Sequence, residues 1–444
     1  MSSSPCGCFF LAHIQTKRSH FEAFPQKHDL PGAAFRCCAV RRCWISLLLA
    51  VCATILPAAV AAPPTYRQVL APVEAGIDIP VDLYWPANAP RALVIVAPNS
   101  GGLADPYFDP ELQQATYRPD HRGGLVEALT GQGYAVAFFS LRGFAPLREC
   151  AHGDHFAARA TDFATHCVNS EVRGTANLVT TTADTEAVFH ALSALTLTGK
   201  LPQVALAFSE GMHHVTLLAG QGRIAPAGIV GAGGPTAPLS ALWAYQMQRG
   251  FYVRMVQKAF DRCRAPTLDL DRVFACAEAR PLAATRAGLQ EFLGATAVSP
   301  ATLAARRQYA QALYRQALAH YAGDVSDEVM PGTFGGVRVP AVWNGSYYSQ
   351  VFQTRASTVV QLQGYTGKTI YLFGQLDYLQ LPDPGACAAS PRCSIRTIDA
   401  VGHGLEDESG IPPAHAVQAI VDAVNTVSAI APAPAAAAPD TGKR

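Results

Sequence analysis

Short apolar runs alternate with longer amphipathic segments from residue 66 onward. Ala92–Ala97 (ALVIVA) and Val204–Phe208 are continuous apolar runs, as strands buried on both faces require. Thr180–Leu195, which lies between them, has apolar residues at helical spacing. This alternation predicts an α/β fold with a mostly parallel central sheet. Further strands are predicted at Tyr66–Val73, Ile79–Trp85, Tyr134–Ser140, Gly228–Val230, Thr369–Phe373 and Ser394–Ile398, and further helices at His121–Thr130 and Ala414–Val427.

The strand–helix alternation stops near Pro235. The next segments, Ser240–Phe260 and Pro300–Ala322, have the length and spacing of long helices. Ser299 is suited to be the N-cap of the second helix, because Pro300 would then occupy its first position. A helical segment is therefore predicted to interrupt the sheet before strand signals return.

A basic pair and a short apolar run near the start are typical of an export signal. Arg41 and Arg42 precede Trp44–Leu56, which is too short to span a bilayer, and small residues follow as far as Ala62. We expect residues 40–61 to be a signal peptide, and the mature protein to be periplasmic or secreted. A membrane anchor or a buried helix is the alternative.

Residues 1–39 carry the features of neither a signal nor a domain, so we expect them not to belong to the mature protein. Synthesis from Val40 would place the arginine pair at the start of the signal, as export requires. A genuine long extension is the alternative. The Ala/Pro-rich end, residues 431–444, is predicted to be a disordered tail.

Composition excludes two classes of protein. Half of the 444 residues are hydrophobic and 15% are charged, which excludes a disordered chain. The net charge is +1, and without residues 1–61 the remaining 28 basic and 31 acidic residues give −3. Because no basic stripe remains, a nucleic-acid partner is not expected.

The cysteines agree with export. Twelve are present, and the six beyond the leader fall into pairs separated by 17, 13 and 6 residues. An even number in an exported chain indicates disulfides, although fifteen connectivities are possible. No metal-binding knuckle spacing occurs, and histidines near the first pair are interpreted as loop residues, so no metal is expected. Local pairing predicts the bonds Cys150–Cys167, Cys263–Cys276 and Cys387–Cys393.

One pentapeptide carries the pattern of a nucleophile elbow. Ala207-Phe208-Ser209-Glu210-Gly211 follows a predicted buried strand and precedes an apolar helical segment. A tight strand-to-helix turn requires small residues two positions before and after the serine, and Ala207 and Gly211 meet that requirement. Such a turn exposes the serine hydroxyl and directs the next backbone N–H, that of Glu210, at a developing oxyanion. The sequence therefore predicts Ser209 as a nucleophile.

An acid and a base follow in the order that such an elbow needs. Asp377 comes just after the strand predicted at Thr369–Phe373, and His403 comes after the next strand. Neutral His403 could remove the serine proton, and Asp377 could fix the imidazole tautomer. Asp383 is the alternative acid. The acidic run at 406–408 is expected to be solvated, and His213 and His214 are interpreted as packing or surface residues.

These motifs together resemble the α/β-hydrolase family over residues 66–428. The resemblance implies a hydrolase core at 62–235 and 346–430, with residues 236–345 as a helical cap over the site. It also implies an oxyanion hole in which Glu210 and the turn Pro98-Asn99-Ser100-Gly101-Gly102 each provide an N–H, the turn through Ser100 or else Gly101. Two departures are Ala207 in place of glycine, and Pro98-Asn99 where the family usually has His-Gly.

The implied reaction is acyl transfer to water through an acyl-enzyme, which requires no cofactor. We expect an exported hydrolase of carboxylic esters that acts on a small molecule. A capped serine exopeptidase is the first alternative, and it would need a cap carboxylate to hold the substrate amine. A binding protein on an inactive hydrolase fold is the second. The carboxylates of the predicted cap that could hold the substrate amine of an exopeptidase are Glu278, Glu291, Asp324 and Asp327.

Overall fold

The computed structural model describes residues 65–100, 124–145, 168–279, 283–334, 337–377, 379–380, 383, 385–407 and 412–428. The predicted leader and tail, the Cys150–Cys167 pair, and Gly101 lie outside these residues. The structural statements below concern the described residues alone.

Eight strands form one sheet, and their labels follow chain order: β1 is Thr65–Glu74, β2 Ile77–Trp85, β3 Ala92–Ala97, β4 Tyr134–Phe139, β5 Gln203–Phe208, β6 Gly228–Ala232, β11 Lys368–Gly374 and β12 Cys393–Ile398. Their order across the sheet is β1-β2-β4-β3-β5-β6-β11-β12. The pairs β1–β2 and β2–β4 are antiparallel, and all other neighbours are parallel. The predicted α/β fold with a mostly parallel sheet is therefore confirmed.

Helices cover both faces of this sheet. Side chains of β3 alternate between two apolar cores, with Leu93 and Ile95 in one and Val94 and Val96 in the other. Burial on both faces explains why the inner strands are continuous apolar runs. The helices beside the sheet are α1 Leu125–Gly131, α2 Ser170–Arg173, α3 Leu178–Ala194, α4 Gly211–Gly220, α10 Ser346–Gln353, α11 Thr358–Gln361 and α12 Ala414–Ser428.

An inserted segment separates β6 from β11. It is mainly helical and has an apolar core of its own, which includes Tyr252, Val256, Phe274 and Leu289. Two short antiparallel strand pairs accompany the helices, and the sequence did not predict them. The elements are α5 Leu239–Met247, α6 Gly250–Cys263, β7 Leu268–Asp269, α7 Leu270–Ala277, α8 Ala283–Leu293, β8 Ala297–Val298, α9 Pro300–Tyr321, β9 Val329–Phe334 and β10 Val337–Asn344.

The two helices predicted in this insertion have different outcomes. Helix α9 starts after Ser299, whose side chain accepts a hydrogen bond from the amide of Thr302, as an N-cap does. The single helix predicted over Ser240–Phe260 is wrong, because it is two helices, α5 and α6. The helix is interrupted at Arg249, because its φ of 55° is left-handed and cannot continue a right-handed helix.

Two of the predicted disulfides are present among the described residues. Cys263 at the end of α6 is bonded to Cys276 in α7, so one bond lies within the inserted segment. Cys387 is bonded to Cys393, the first residue of β12. Local pairing therefore holds for both described pairs.

Candidate active site

Ser209 lies at a sharp turn between β5 and α4. Its φ is 49°, a left-handed value that is rare for residues other than glycine and is found at strained functional turns. The amide of Ser209 donates a 2.9 Å hydrogen bond to the carbonyl of Ala232, at the end of the neighbouring strand β6. The turn therefore places Ser209 at the carboxyl edge of the sheet, where the predicted elbow requires it.

The second small residue of the motif fits a space that a side chain could not enter. A Cβ on Gly211 would lie 2.5 Å from the carbonyl oxygen of Pro98 and 2.8 Å from that of Ala97. Ala207 is fully buried on β5, opposite Ala97 on β3 and Gly231 on β6. Close approach of the β3 loop therefore explains why glycine occupies the second position after the serine.

His403 bridges Ser209 and Asp377. Its Nε2 atom lies 2.8 Å from Oγ of Ser209, and its Nδ1 atom lies 2.9 Å from Oδ2 of Asp377. Asp377 follows β11 and His403 follows β12, so adjacent parallel strands present both side chains at the edge where β5 presents Ser209. The structure thus brings together the three side chains that the sequence selects.

Backbone amides hold the carboxylate of Asp377. Its Oδ1 atom accepts hydrogen bonds from the amides of Leu379, at 2.9 Å, and Gln380, at 3.2 Å. The side chain of Gln380 in turn donates to the carbonyl of Gly233. Asp383, the alternative acid, is exposed, and its Oδ1 accepts from the amide of Gly385. The geometry therefore favours Asp377 over Asp383.

The surroundings of His403 favour its protonated form. Burial alone would lower the pKa of the imidazole, but the charge and hydrogen bond of Asp377, together with the charge of Glu406, raise the pKa above its ordinary value. Glu406 itself is half-buried, and burial raises the pKa of its carboxyl. The acidic run is therefore not uniformly solvated, because its first member packs close to the base.

Helix α4 begins at Gly211, with Glu210 as its N-cap residue. The first N–H groups of a helix have no partner within it, so the amides at Glu210 and Gly211 point toward the edge that carries Ser209. The β3 loop crosses the elbow at Pro98, and Ser100 is its last described residue. The contribution of Ser100 or Gly101 to an oxyanion hole stays a prediction.

The side chain of Glu210 is buried beneath the elbow and was not singled out from the sequence. Its Oε2 atom accepts a hydrogen bond from the hydroxyl of Tyr347 on α10, and its Oε1 atom lies 3.6 Å from Nε2 of His214. His213 and His214 are also buried, with Nδ1 atoms near Gln361 and Thr182 respectively. Neither histidine replaces His403 at the serine.

The inserted segment contacts the acid loop through α5. The side chain of Gln246 donates a 2.9 Å hydrogen bond to the carbonyl of Leu379, next to the amides that hold Asp377. The hydroxyl of Tyr245 is buried, and burial raises its pKa to about 12, with a smaller contribution from the charge of Asp377. One end of the insertion therefore borders the candidate site.

The four carboxylates that an exopeptidase could use lie in the inserted segment and are exposed. Glu278 pairs with Arg262 and Glu291 lies 3.7 Å from Arg249, and both carboxylates are more than half exposed. Asp324 is exposed and accepts from Ser326, and Asp327 is exposed. Three of the four therefore have partners within the insertion.

The described part of the chain contains no group of three or more histidine, cysteine, aspartate or glutamate side chains that could hold a metal ion. None of its helices is both long enough and apolar enough to cross a membrane. The histidines near the Cys150–Cys167 pair lie outside this part.

No protein-family profile and no curated protein sequence matches the chain. Solved structures that resemble it include an esterase domain from Rhodothermus marinus, which is 13% identical over 82% of this chain and 99% of that one, with a TM-score of 0.41. A proline iminopeptidase from Mycobacterium smegmatis is 15% identical over 83% and 100%, with a TM-score of 0.42. A lipase in an open form is 13% identical over 82% and 99%, with a TM-score of 0.43.

These similarities are low, so the fold is assigned from the strand order and the elbow. The first two strand pairs of the sheet are antiparallel and the rest are parallel, and a strand–turn–helix serine lies at its carboxyl edge. An insertion follows β6, before the strands that carry the acid and the histidine. The chain has the α/β-hydrolase fold.

Proposed function

We propose that the protein is an exported serine hydrolase that cleaves carboxylic esters. The observation that carries the proposal is a chain of two hydrogen bonds. Ser209 Oγ lies 2.8 Å from His403 Nε2, and His403 Nδ1 lies 2.9 Å from Asp377 Oδ2. A serine hydroxyl becomes a useful nucleophile when a base takes its proton, and a positioned imidazole is such a base near neutral pH.

In the proposed reaction Oγ of Ser209 attacks the ester carbonyl while Nε2 of His403 takes the hydroxyl proton. The tetrahedral oxyanion accepts hydrogen bonds from the backbone N–H of Glu210 and from that of Ser100 or Gly101. Collapse breaks the carbon–oxygen bond to the leaving group, which receives the proton from His403. Water then attacks the acyl-enzyme by the same steps, releasing the acid and restoring Ser209.

Asp377 has a positioning role in this scheme. Its Oδ2 atom accepts a hydrogen bond from the Nδ1–H of His403, which leaves Nε2 without a hydrogen and free to act as the base. When His403 becomes an imidazolium, the nearby carboxylate stabilises the positive charge. Because backbone amides hold the other oxygen, the carboxylate keeps this orientation during turnover.

The contacts of the cap carboxylates favour an ester over a peptide substrate. An exopeptidase needs a carboxylate near the serine to bind the substrate amine, and the four candidates are exposed; three of them also pair with neighbours in the insertion. An ester needs no such group. The two disulfides support an oxidising compartment, which agrees with the export signal predicted from the sequence.

The test compares the mature protein with Ser209→Ala, using a fluorophosphonate probe, nitrophenyl esters of graded chain length, and aminoacyl nitroanilides. The native protein should label and should hydrolyse esters faster than anilides. Ser209→Ala should not react with the fluorophosphonate probe, and its kcat should fall by on the order of 10⁶-fold. Ser349→Ala, which changes a half-buried serine on α10, is the matched control and should retain both.

Two outcomes would redirect the proposal. Faster cleavage of the anilides would favour the exopeptidase. Absence of labelling and turnover in the native protein would favour a binding protein on an inactive fold.

A further inference from the structure

The side chain of Glu210 joins three elements directly beneath the elbow. Glu210 itself precedes α4, Tyr347 lies on α10 just after the inserted segment, and His214 lies one turn further along α4. Glu210 is only 4% exposed, so its carboxyl group has little contact with water. A buried carboxyl group in this position depends on its hydrogen bond from Tyr347, because an unpaired buried polar atom is costly.

The second oxygen of Glu210, Oε1, faces the ring of His214. The hydroxyl of Thr182 donates to the carbonyl of Leu178 at 2.8 Å, so its oxygen must accept the hydrogen on Nδ1 of His214, also at 2.8 Å. Neutral His214 then has no hydrogen on Nε2. That atom and Oε1 of Glu210 are both buried without a hydrogen-bond partner and face each other at 3.6 Å. The hydrogen bond from Tyr347 is therefore what holds the carboxyl group of Glu210 in place.

The ring of Tyr347 is fixed as firmly as its hydroxyl. It is fully buried and stacks on Trp343, with ring centroids 4.2 Å apart. The guanidinium of Arg173 lies 4.5 Å from the centroid of the Trp343 ring, a cation–π contact that adds to the packing of the pair. Burial lowers the pKa of Arg173 to about 9, against the opposing charges of Asp184 and Glu210.

We propose that Glu210 and Tyr347 are positioning residues for the oxyanion-binding N–H of Glu210. The proposal rests on the proposed serine-hydrolase function. The N–H and the carboxyl group belong to the same residue, so a carboxyl group held by the hydroxyl of Tyr347 restricts rotation of the peptide that carries the donor. Oxyanion donors act through prior alignment, so a small rotation weakens transition-state binding more than substrate binding.

Tyr347→Phe is the main test, because it removes one hydroxyl and keeps the buried ring. We expect kcat to fall by about 10- to 100-fold, less than the loss of a whole oxyanion donor, with KM changed by less than about threefold. A trifluoromethyl ketone, whose adduct with Ser209 bears an oxyanion, should bind weaker by the same factor as kcat falls. A purely structural role would lower the amount of folded enzyme without changing this affinity.

Glu210→Gln and Glu210→Ala separate hydrogen bonding from side-chain bulk. The glutamine oxygen can accept from Tyr347 while its amide donates to Nε2 of His214, so Glu210→Gln should retain more activity than Glu210→Ala by about tenfold. Tyr365→Phe is the matched control. It removes the hydroxyl of a half-buried tyrosine, which donates to the carbonyl of Pro226 at the opposite end of the strands, and it should leave kcat unchanged.

The outcomes distinguish this inference from the proposed function. If native Ser209 does not react with the fluorophosphonate probe, the proposed function fails first. If native Ser209 reacts but Tyr347→Phe keeps the native kcat and ketone affinity, the positioning role is overturned and the hydrolase stands. Equal losses in Tyr347→Phe and Tyr365→Phe would also overturn it.

Discussion

Oδ2 of Asp377 lies 2.9 Å from Nδ1 of His403, and its Oδ1 atom accepts hydrogen bonds from two backbone amides. The carboxylate cannot rotate without losing contacts at both oxygens. Asp383, only six residues further along, is exposed and makes its hydrogen bond within its own turn. The acid of the proposed triad is therefore distinguished from its neighbour by geometry that can be tested.

Asp377→Asn should lower kcat by on the order of 10⁴-fold, because the amide stabilises the wrong imidazole tautomer while preserving the shape of the side chain. Asp383→Asn is the matched control and should keep the native kcat. Steady-state hydrolysis of a nitrophenyl ester measures both. A larger loss in Asp383→Asn would assign the acid to Asp383.

The rate should depend on pH through His403, which must be neutral to take the serine proton. Because Asp377 and Glu406 raise its pKa despite burial, kcat/KM should fall on acidification with an inflection above the ordinary histidine value of about 6.5. Glu406→Gln removes one of the raising charges and should move the inflection to lower pH. Profiles of kcat/KM against pH measure the shift.

Glu328→Gln provides the control for this titration. Glu328 pairs with His320 in the inserted segment, so the substitution removes a carboxylate beside a different histidine. Its profile should match that of the native protein. An inflection that stays in place in Glu406→Gln would show that this carboxylate does not act on the base.

The three site residues could be predicted because each follows a strand. The apolar runs of β5 and β11 identify buried strands, and parallel strands bring their carboxyl ends to one edge. Ser209 and Asp377 were therefore predictable from position and residue type together. The end of a helix at Arg249 was not predictable, because apolar residues continue at helical spacing across it. Only the positive φ of Arg249 marks the interruption.

The surroundings of Glu210 could not be predicted either. Tyr347 lies 137 residues further along the chain, and no pattern in the sequence pairs it with the elbow. Arg173 is fully buried, although it stands in a short polar segment that would ordinarily be solvated. Burial of these side chains results from tertiary packing between elements, which local spacing does not encode.

Gly233 should be intolerant of a side chain, because it lies between the loops of the acid and the base. Its φ is +58°, and a Cβ there would overlap the carbonyl oxygen of His403. Gly233→Ala should lower the free energy of unfolding by about 1–3 kcal/mol and should also lower kcat, because His403 must move. Urea unfolding and ester hydrolysis measure the two effects.

Gly222→Ala separates backbone strain from contact with the site. Gly222 also has a positive φ, +70°, but a Cβ there would meet nothing within 4 Å. This variant should lose some stability and keep the native kcat. If both variants lose activity equally, the contact between Gly233 and His403 does not explain the effect.

The disulfide in the inserted segment should contribute stability without contributing to turnover. Cys263 and Cys276 are separated by 13 residues, and closing a loop of this length stabilises a protein by about 3 kcal/mol in the chain-entropy description. Both cysteines pack in the separate core of the insertion. Replacing both by alanine should lower the free energy of unfolding, measured with urea, and should leave kcat near its native value.

The second disulfide should affect both properties, because it closes the segment between the acid and the base. Cys387 and Cys393 are separated by six residues, so the entropic contribution is smaller, about 2 kcal/mol. Cys393 begins β12, which leads to His403, and the bonded segment begins ten residues after Asp377. Replacing both by alanine should loosen the approach of the two side chains and lower kcat, whereas the first pair serves as the matched control. Equal kcat values in the two double variants would mean that the loop holds Asp377 and His403 in place without its disulfide.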